Sequence, residues 1–325
     1  MARIALKIDV DTWLGTLEGV PALARVLERL GAPATFLFSL GPDHTGRAIR
    51  RAFRPGFFGK VARTSVVEHY GVRTLLYGTL LPGPDIGRRE APTLRAIGRA
   101  GFETGVHTWD HVRWQDNVAD ATPAWTRREL ERATERYAEI FGQPPAVHGA
   151  AGWQMNEAAY RIEAELGYKL ASDTRGSTPY LPCDGAGRDL GVPQFPTTLP
   201  TLDELIGRDG WHAGNVERAL LELIERDVAI HVYTLHAELE GRKLLPTFER
   251  LLAGWRAQGH AFASLGQLAA LMNPAALPRC RAGVGEVPGR SGTLAVQGPQ
   301  LAAPMRAASP AADGGTDTPR VAPRA

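Results

Sequence analysis

Apolar runs of strand length alternate with amphipathic runs of helical length along most of the chain. The strand-like segments are Arg3–Asp9, Ala34–Leu40, Phe102–His107, Ala146–Ala150, Tyr168–Asp173, Val192–Phe195, Ala229–His236 and Ala261–Leu265. Between most of them, apolar residues recur at helical spacing: Val20–Leu30, Ala91–Ala100, Thr126–Phe141, Asn156–Leu166, Val216–Arg226 and Leu245–Gln258. Pro33, Gly101, Gly142, Gly167 and Gly259 follow these segments, where helix-ending residues belong. Strands and helices in this alternation predict an α/β fold, a parallel (β/α)7–8 barrel that is closed or slightly open. A doubly wound open sheet is the competing architecture.

Two stretches break the pattern. The connection from Gly41 to Arg89 is too long for an ordinary loop, so 43–89 reads as an inserted lid or membrane-facing segment. Inside it, Arg47 to Arg63 carries six basic and no acidic residues, interleaved with Ile49, Phe53, Phe57 and Phe58. A basic amphipathic helix of this kind suits an anionic membrane surface or a phosphate, with Arg47, Arg50 and Arg51 for charge and Phe57 and Phe58 for apolar contact. A helix packed over the barrel, phenylalanines inward, is the plainer alternative. From Arg281 onward, 23 of 45 residues are Ala, Gly or Pro and none is aromatic. That composition predicts a disordered tail over 281–325 and a single domain over 1–278.

Composition narrows the classes. Hydrophobic content of 44% and charged content of 22% are ordinary for a soluble globular protein. The net charge of +2 is too small to argue for nucleic acid, and no nucleic-acid-binding motif is present. Cys183 and Cys280 alone make no disulfide framework, which fits a reducing compartment. The first residues charge too quickly for a secretion signal, and no run approaches the roughly 18 apolar residues of a spanning helix. The expectation is a cytoplasmic protein, peripheral to a membrane at most.

The chemistry concentrates at strand ends. Asp9 and Asp11 sit where the run Ile4, Ala5, Leu6, Ile8, Val10 gives way to Thr12. Two acids so close are costly to bury without a cation or a pKa shift, so the pair predicts a metal. His107 and His111 follow another apolar run, and at i,i+4 on a helical turn their rings would share one side. Two imidazoles and a carboxylate form a ligand set used by hydrolytic divalent-metal enzymes. His236 ends a further strand at the same end and suits a general acid. Asp173 and Arg175 would orient a catalytic group or bind an anion, unless they are an ordinary loop pair. Glu238 either tunes His236 or is solvated. His148 is a weaker candidate for the pocket wall and His231 reads as structural. His44, His69, His212 and His260 read as loop residues.

Taken together, Ile8-Asp9-Val10-Asp11, His107-x3-His111, Asp173 and Thr234-Leu235-His236 resemble the polysaccharide deacetylase (NodB-homology) family. The resemblance implies an irregular β/α barrel, Asp9 as base, a divalent metal (zinc, manganese, cobalt or iron) on Asp11, His107 and His111, and His236 as acid. Gly41-Pro-Asp43, Ala150-Ala-Gly-Trp153, Ser172-Asp-x-Arg-Gly176, Pro196-x-Thr-Leu-Pro-Thr201, Ile206-Gly-Arg-Asp209 and Tyr233-Thr-x-His-Ala-Glu238 narrow it to one branch. That branch deformylates undecaprenyl-phosphate-linked 4-deoxy-4-formamido-L-arabinose, which implies a lipid-linked substrate and the inner-membrane surface as partners. The match covers roughly residues 1–275. It departs at two places: Val10 splits the aspartates, and His148-Gly-Ala-Ala-Gly-Trp153 replaces the usual Arg-Pro motif. Arg175 is then the expected substitute for the arginine that tunes the base.

Three rivals remain. Leu6–Thr12 also resembles the haloacid-dehalogenase phosphatase signature, with Asp9 as nucleophile, Asp11 as acid and Ser39 in the second motif. No later Gly-Asp-x3-Asp completes its magnesium site, and His107, His111 and His236 would be idle. Another sugar N-deacetylase keeps the barrel and changes the substrate, and a non-catalytic membrane module leaves the acids and imidazoles unexplained.

Overall fold

In the computed structural model, which describes residues 1–48, 74–227 and 229–301, most apolar runs become short parallel strands. They are β1 (Arg3–Val10), β2 (Thr35–Ser39), β3 (Glu103–Thr108), β4 (Val147–His148), β5 (Leu170–Ala171), β6 (Leu181–Cys183), β7 (Ile230–His236) and β8 (Ala261–Ala263). All but β6 join one sheet in the order β5-β4-β3-β2-β1-β7, with β8 paired to the first residues of β1. From β1 to β5 the spatial order follows the chain without reversal. A doubly wound sheet leaves its two edge strands apart, whereas here one stretch of chain bonds to both edges, β5 and β7, which favours the barrel. The sheet curls into a half-barrel clad in helices.

The expected strand Val192–Phe195 forms no regular ladder. Pro193 and Pro196 lack the N–H groups a ladder needs. Instead, Ala171 N donates to Pro193 O (2.9 Å) and Phe195 N to Ala171 O (2.7 Å). A few residues on, Thr198 N donates to Val232 O (3.0 Å). This irregular stretch therefore touches both β5 and β7 and spans the gap between the sheet's edges.

Alternation along β1 sets the layers, because residues two apart share a face. Ile4, Leu6, Ile8 and Val10 pack with Val20, Leu23 and Leu27 of the helix Val20–Leu30 and with Leu251, Leu252 and Trp255 of the helix Leu245–Ala257. Each such side chain contributes about 1.5–3 kcal/mol by leaving water. Ala5 points the other way and clusters with Leu37, Val147, Leu170, Phe195 and Val232. Lys7 and Asp9 share the face of Ala5, nearer the carboxyl end of the strand. Gly105 of β3 makes this interior possible, since a Cβ there would meet Val147 O at 2.4 Å and Leu37 Cδ2 at 2.7 Å.

The tail expected from Arg281 is corrected up to residue 301. β9 (Arg279–Glu286) and β10 (Thr293–Gln300) form an antiparallel hairpin, and β9 pairs in parallel with β6. Backbone bonds and ion pairs hold it, and neither registers in a count of small residues. Arg175 N donates to Ala295 O (2.9 Å) and Gln297 N to Arg175 O (2.8 Å). From the turn between the strands, Arg290 Nε reaches Glu204 Oε1 (2.6 Å) and Nη1 reaches Asp203 Oδ2 (3.2 Å). The ordered domain thus extends past residue 278; 302–325 lie outside the described residues.

Arg290→Ala removes a largely buried guanidinium from two carboxylates, a loss on the order of 1–3 kcal/mol of stability. Urea unfolding measures it, and an unchanged midpoint would show that the Arg290 ion pairs do not stabilise the hairpin.

Candidate active site

Outward packing of Ile8 and Val10 turns Asp9 into the barrel. The β1–β7 register sets Asp9 directly beside His236, and Lys7 beside Thr234. Beyond Val10 the chain is held by Glu238, whose Oε1 accepts from Asp11 N (3.0 Å), Thr12 N (2.7 Å) and Thr12 Oγ1 (2.8 Å). Gly15 admits that carboxylate, because a Cβ there would lie 2.0 Å from Oε1. Asp11 is thereby fixed over the end of the barrel.

His107 and His111 do not share a helix, as their spacing suggested. His107 is in β3, whereas His111 opens the helix His111–Asn117, capped by Asp110. The strand-to-helix turn still brings the rings to 5.4 Å between centroids. His107 Nδ1 lies 2.6 Å from Gly149 O. A carbonyl only accepts, so Nδ1 carries the proton and Nε2 presents its lone pair. That Nε2 is 3.2 Å from Asp11 Oδ1, and His111 Nε2 is 3.4 Å from Asp11 Oδ2. Burial opposes charge on Asp11, but attraction to His111 and His107 outweighs it and holds the carboxyl well below the usual range.

One donor atom from each of these residues lies within 4.8 Å of the others. Asp11 Oδ1 is buried without a hydrogen-bond partner among the described residues. One carboxylate and two Nε2 lone pairs converging on such an orphan fit a divalent cation.

Asp9 and His236 flank this set. Asp9 is buried, with Oδ2 3.1 Å from Lys7 Nζ and Oδ1 3.8 Å from His107 Nδ1. His236 is 9% exposed, its Nδ1 has no hydrogen-bond partner among the described residues, and its backbone N donates to Glu240 Oε2 (2.8 Å). Its ring meets Trp153 edge-on at 6.3 Å. Trp153 adopts φ 52°, a strained left-handed conformation for a bulky residue. Its Nε1 donates to Thr197 Oγ1 (3.1 Å), and the cations of Lys7, Arg175 and Arg290 lie 5.3, 5.1 and 4.7 Å from its ring centroid.

Other expectations change. Arg175 does not reach Asp9: its Nη1 donates to Glu204 Oε1 (2.5 Å) and its Nη2 to Leu199 O (3.2 Å). Glu238 is neither solvated nor on His236; it braces the loop after β1, and Glu240, which the sequence did not single out, supports His236. Asp173 Oδ1 accepts from Ala150 N (2.8 Å) and Oδ2 from Gln194 Nε2 (2.7 Å). His148 is wholly buried, its Nδ1 2.9 Å from Asp173 Oδ1 and 2.8 Å from Glu163 Oε1. Although burial opposes its charge, Asp173 and Glu163 push the His148 pKa up to about 10. Burial first, and then the charge of Asp173, pushes Glu163 up to about 8. His44, read as a loop residue, bonds to Asp110 (2.6 Å) and ties the inserted segment to the histidine turn. Arg47 Nε donates to Gly78 O (2.9 Å), while Arg50, Arg51, Phe57 and Phe58 lie outside the described residues.

The polysaccharide deacetylase family model matches residues 3–171. A protein of Shewanella sediminis named "probable 4-deoxy-4-formamido-L-arabinose-phosphoundecaprenol deformylase ArnD" is 37% identical over 253 residues, 78% of this chain and 81% of that protein. A Wigglesworthia glossinidia brevipalpis protein of the same name is 30% identical over 287 residues, 87% of this chain and 98% of its own. Among solved structures, a protein described as a polysaccharide deacetylase from Mycobacterium smegmatis superposes with a TM-score of 0.59 at 19% identity, covering 88% of this chain and 95% of its own, a likeness of fold.

The buried cluster gives a pH signature. Glu163 binds its proton more tightly folded than unfolded, so its contribution is fully present below about 4.5 and lost as pH rises to about 8. Glu163→Gln removes that titration. Urea stability measured from pH 5 to 8 should fall less steeply in the variant than in the wild type; parallel slopes would contradict the assignment.

Proposed function

The chain belongs to the polysaccharide deacetylase family, hydrolases of amide C–N bonds, and we propose that it deformylates 4-deoxy-4-formamido-L-arabinose carried on undecaprenyl phosphate. The products are formate and the 4-amino sugar, the form used to modify lipid A with aminoarabinose. That amine is protonated at neutral pH and adds positive charge to an anionic lipid. One observation carries the reading: Asp9 and His236 stand side by side across β1 and β7, flanking the converging donors of Asp11, His107 and His111.

Asp11, His107 and His111 would hold the divalent ion, whether zinc, manganese, cobalt or iron. When bound, such an ion polarises a carbonyl oxygen and lowers the pKa of a coordinated water. Asp9 Oδ1, buried and without a hydrogen bond among the described residues, takes the proton of the attacking water as it adds to the formyl carbon. His236 gives a proton to the departing nitrogen as the C–N bond breaks. Gly149 O keeps His107 in the tautomer that presents Nε2. A phosphatase reading of Asp9 and Asp11 is not favoured, because it leaves three imidazoles without a role.

The lipid and its phosphate place the work at the cytoplasmic face of the inner membrane, with Arg47, Arg50, Arg51, Phe57 and Phe58 as the contact. No helix among the described residues is long and apolar enough to cross a membrane.

Mass spectrometry of the formamido lipid, read beside metal analysis, tests the reaction. Wild type should lose the formyl group, Asp9→Asn should be slower by about 10²–10⁴-fold, and His107→Ala should lose both metal and activity. Undiminished turnover in Asp9→Asn would remove the base from the scheme. Reversing charge at Arg50 and Arg51 should weaken action on the lipid-linked substrate more than on a soluble formamido sugar. Equal losses on both would separate this segment from lipid recognition.

A further inference from the structure

We propose that Lys7 is the positioning residue that aims the Asp9 carboxylate, anchoring one oxygen so that the other faces the reacting centre. The inference rests on Asp9 acting as the base. Lys7 is wholly buried in the middle of a strand, where an ammonium is tolerated only against opposite charge. Its Nζ lies 3.1 Å from Asp9 Oδ2 and has no hydrogen-bond partner among the described residues. The face of Trp153 covers it at 5.3 Å, and Asp173 is close enough to feel its charge.

The side chain reaches this place across the barrel interior. A Cβ at Gly149 would lie 3.0 Å from Lys7 Cε and 2.4 Å from Leu37 Cδ1, so the passage depends on a glycine. Arg175, the cation expected near the base, is taken by Glu204. Lys7 and Asp9 are two residues apart on one face of one strand, hydrogen-bonded on both sides to β2 and β7. Their separation is therefore set by strand geometry, and no loop movement alters it. With Oδ2 held, Asp9 Oδ1 is left buried, without a hydrogen bond among the described residues and 3.8 Å from His107 Nδ1.

Lys7→Met keeps the unbranched stem and removes the charge; Lys7→Arg keeps the charge. In Lys7→Met, kcat for formate release should fall about 10²-fold with KM within about twofold, bound metal per chain should match wild type, and a crystal structure should show Asp9 turned from its wild-type rotamer. Lys7→Arg should recover most of kcat. Wild-type kcat in Lys7→Met, an Asp9 that has not moved, or a loss of metal or fold that Lys7→Arg does not rescue would each overturn the proposal. The crystallographic readout is independent of substrate. If wild type releases no formate yet Lys7→Met displaces Asp9, the substrate reading falls and the positioning role stands.

Discussion

Two carboxylates buried at the end of a single strand are the constraint around which this molecule is arranged. Asp9 is 3% and Asp11 8% exposed, so bulk water screens neither well. Each receives its own compensation from a different direction. Lys7, below on the same strand, faces Asp9, and the imidazoles of His107 and His111 face Asp11. His107 lies near both acids, but the nearest partner differs, Lys7 for Asp9 and an imidazole for Asp11. One is drawn into the barrel and the other into the cluster of donors above it.

The barrel supplies this separation by layering its interior. Ala5, Leu37, Val147, Phe195 and Val232 cluster inside the barrel, and Asp9, Asp11, His107 and His236 lie toward the carboxyl ends of the strands. Those ends are where the backbone leaves the ladder and where side chains from several strands meet. The turn after β7 does much of the bracing. His236 faces the site, Glu238 holds the backbone of Asp11 and Thr12, and Glu240 holds the backbone of His236 itself. The segments carrying His236 and Asp11 are thus tied to one short turn, which limits how far they can drift apart.

Trp153 joins the end of the chain to this centre. Its ring lies against His236 on one flank and against Lys7, Arg175 and Arg290 on others, while Glu204 pairs with two of those cations. The strained backbone of Trp153 persists because these contacts over-determine it. A hairpin far along the sequence therefore forms part of the wall beside the proposed acid, and the stability of that hairpin is coupled to the order of the site.

Periodicity by itself determined most of the element types, the α/β class and the end of the sheet where Asp9, Asp11, His107 and His236 gather, since strand and helix periods and strand-end positions are local properties. Lys7 was passed over, although a lone charge in an apolar strand two residues before Asp9 is the signal that marks it. Tertiary structure alone decided the rest. Arg175 was drawn to Glu204 instead of Asp9, Glu238 to a backbone more than two hundred residues earlier in the chain, and residues 279–300 into a hairpin that their small side chains did not foretell. Choice of partner depends on which opposite charge or open strand edge the fold brings within reach. Proximity of that kind is created by packing distant segments together, and no local pattern contains it.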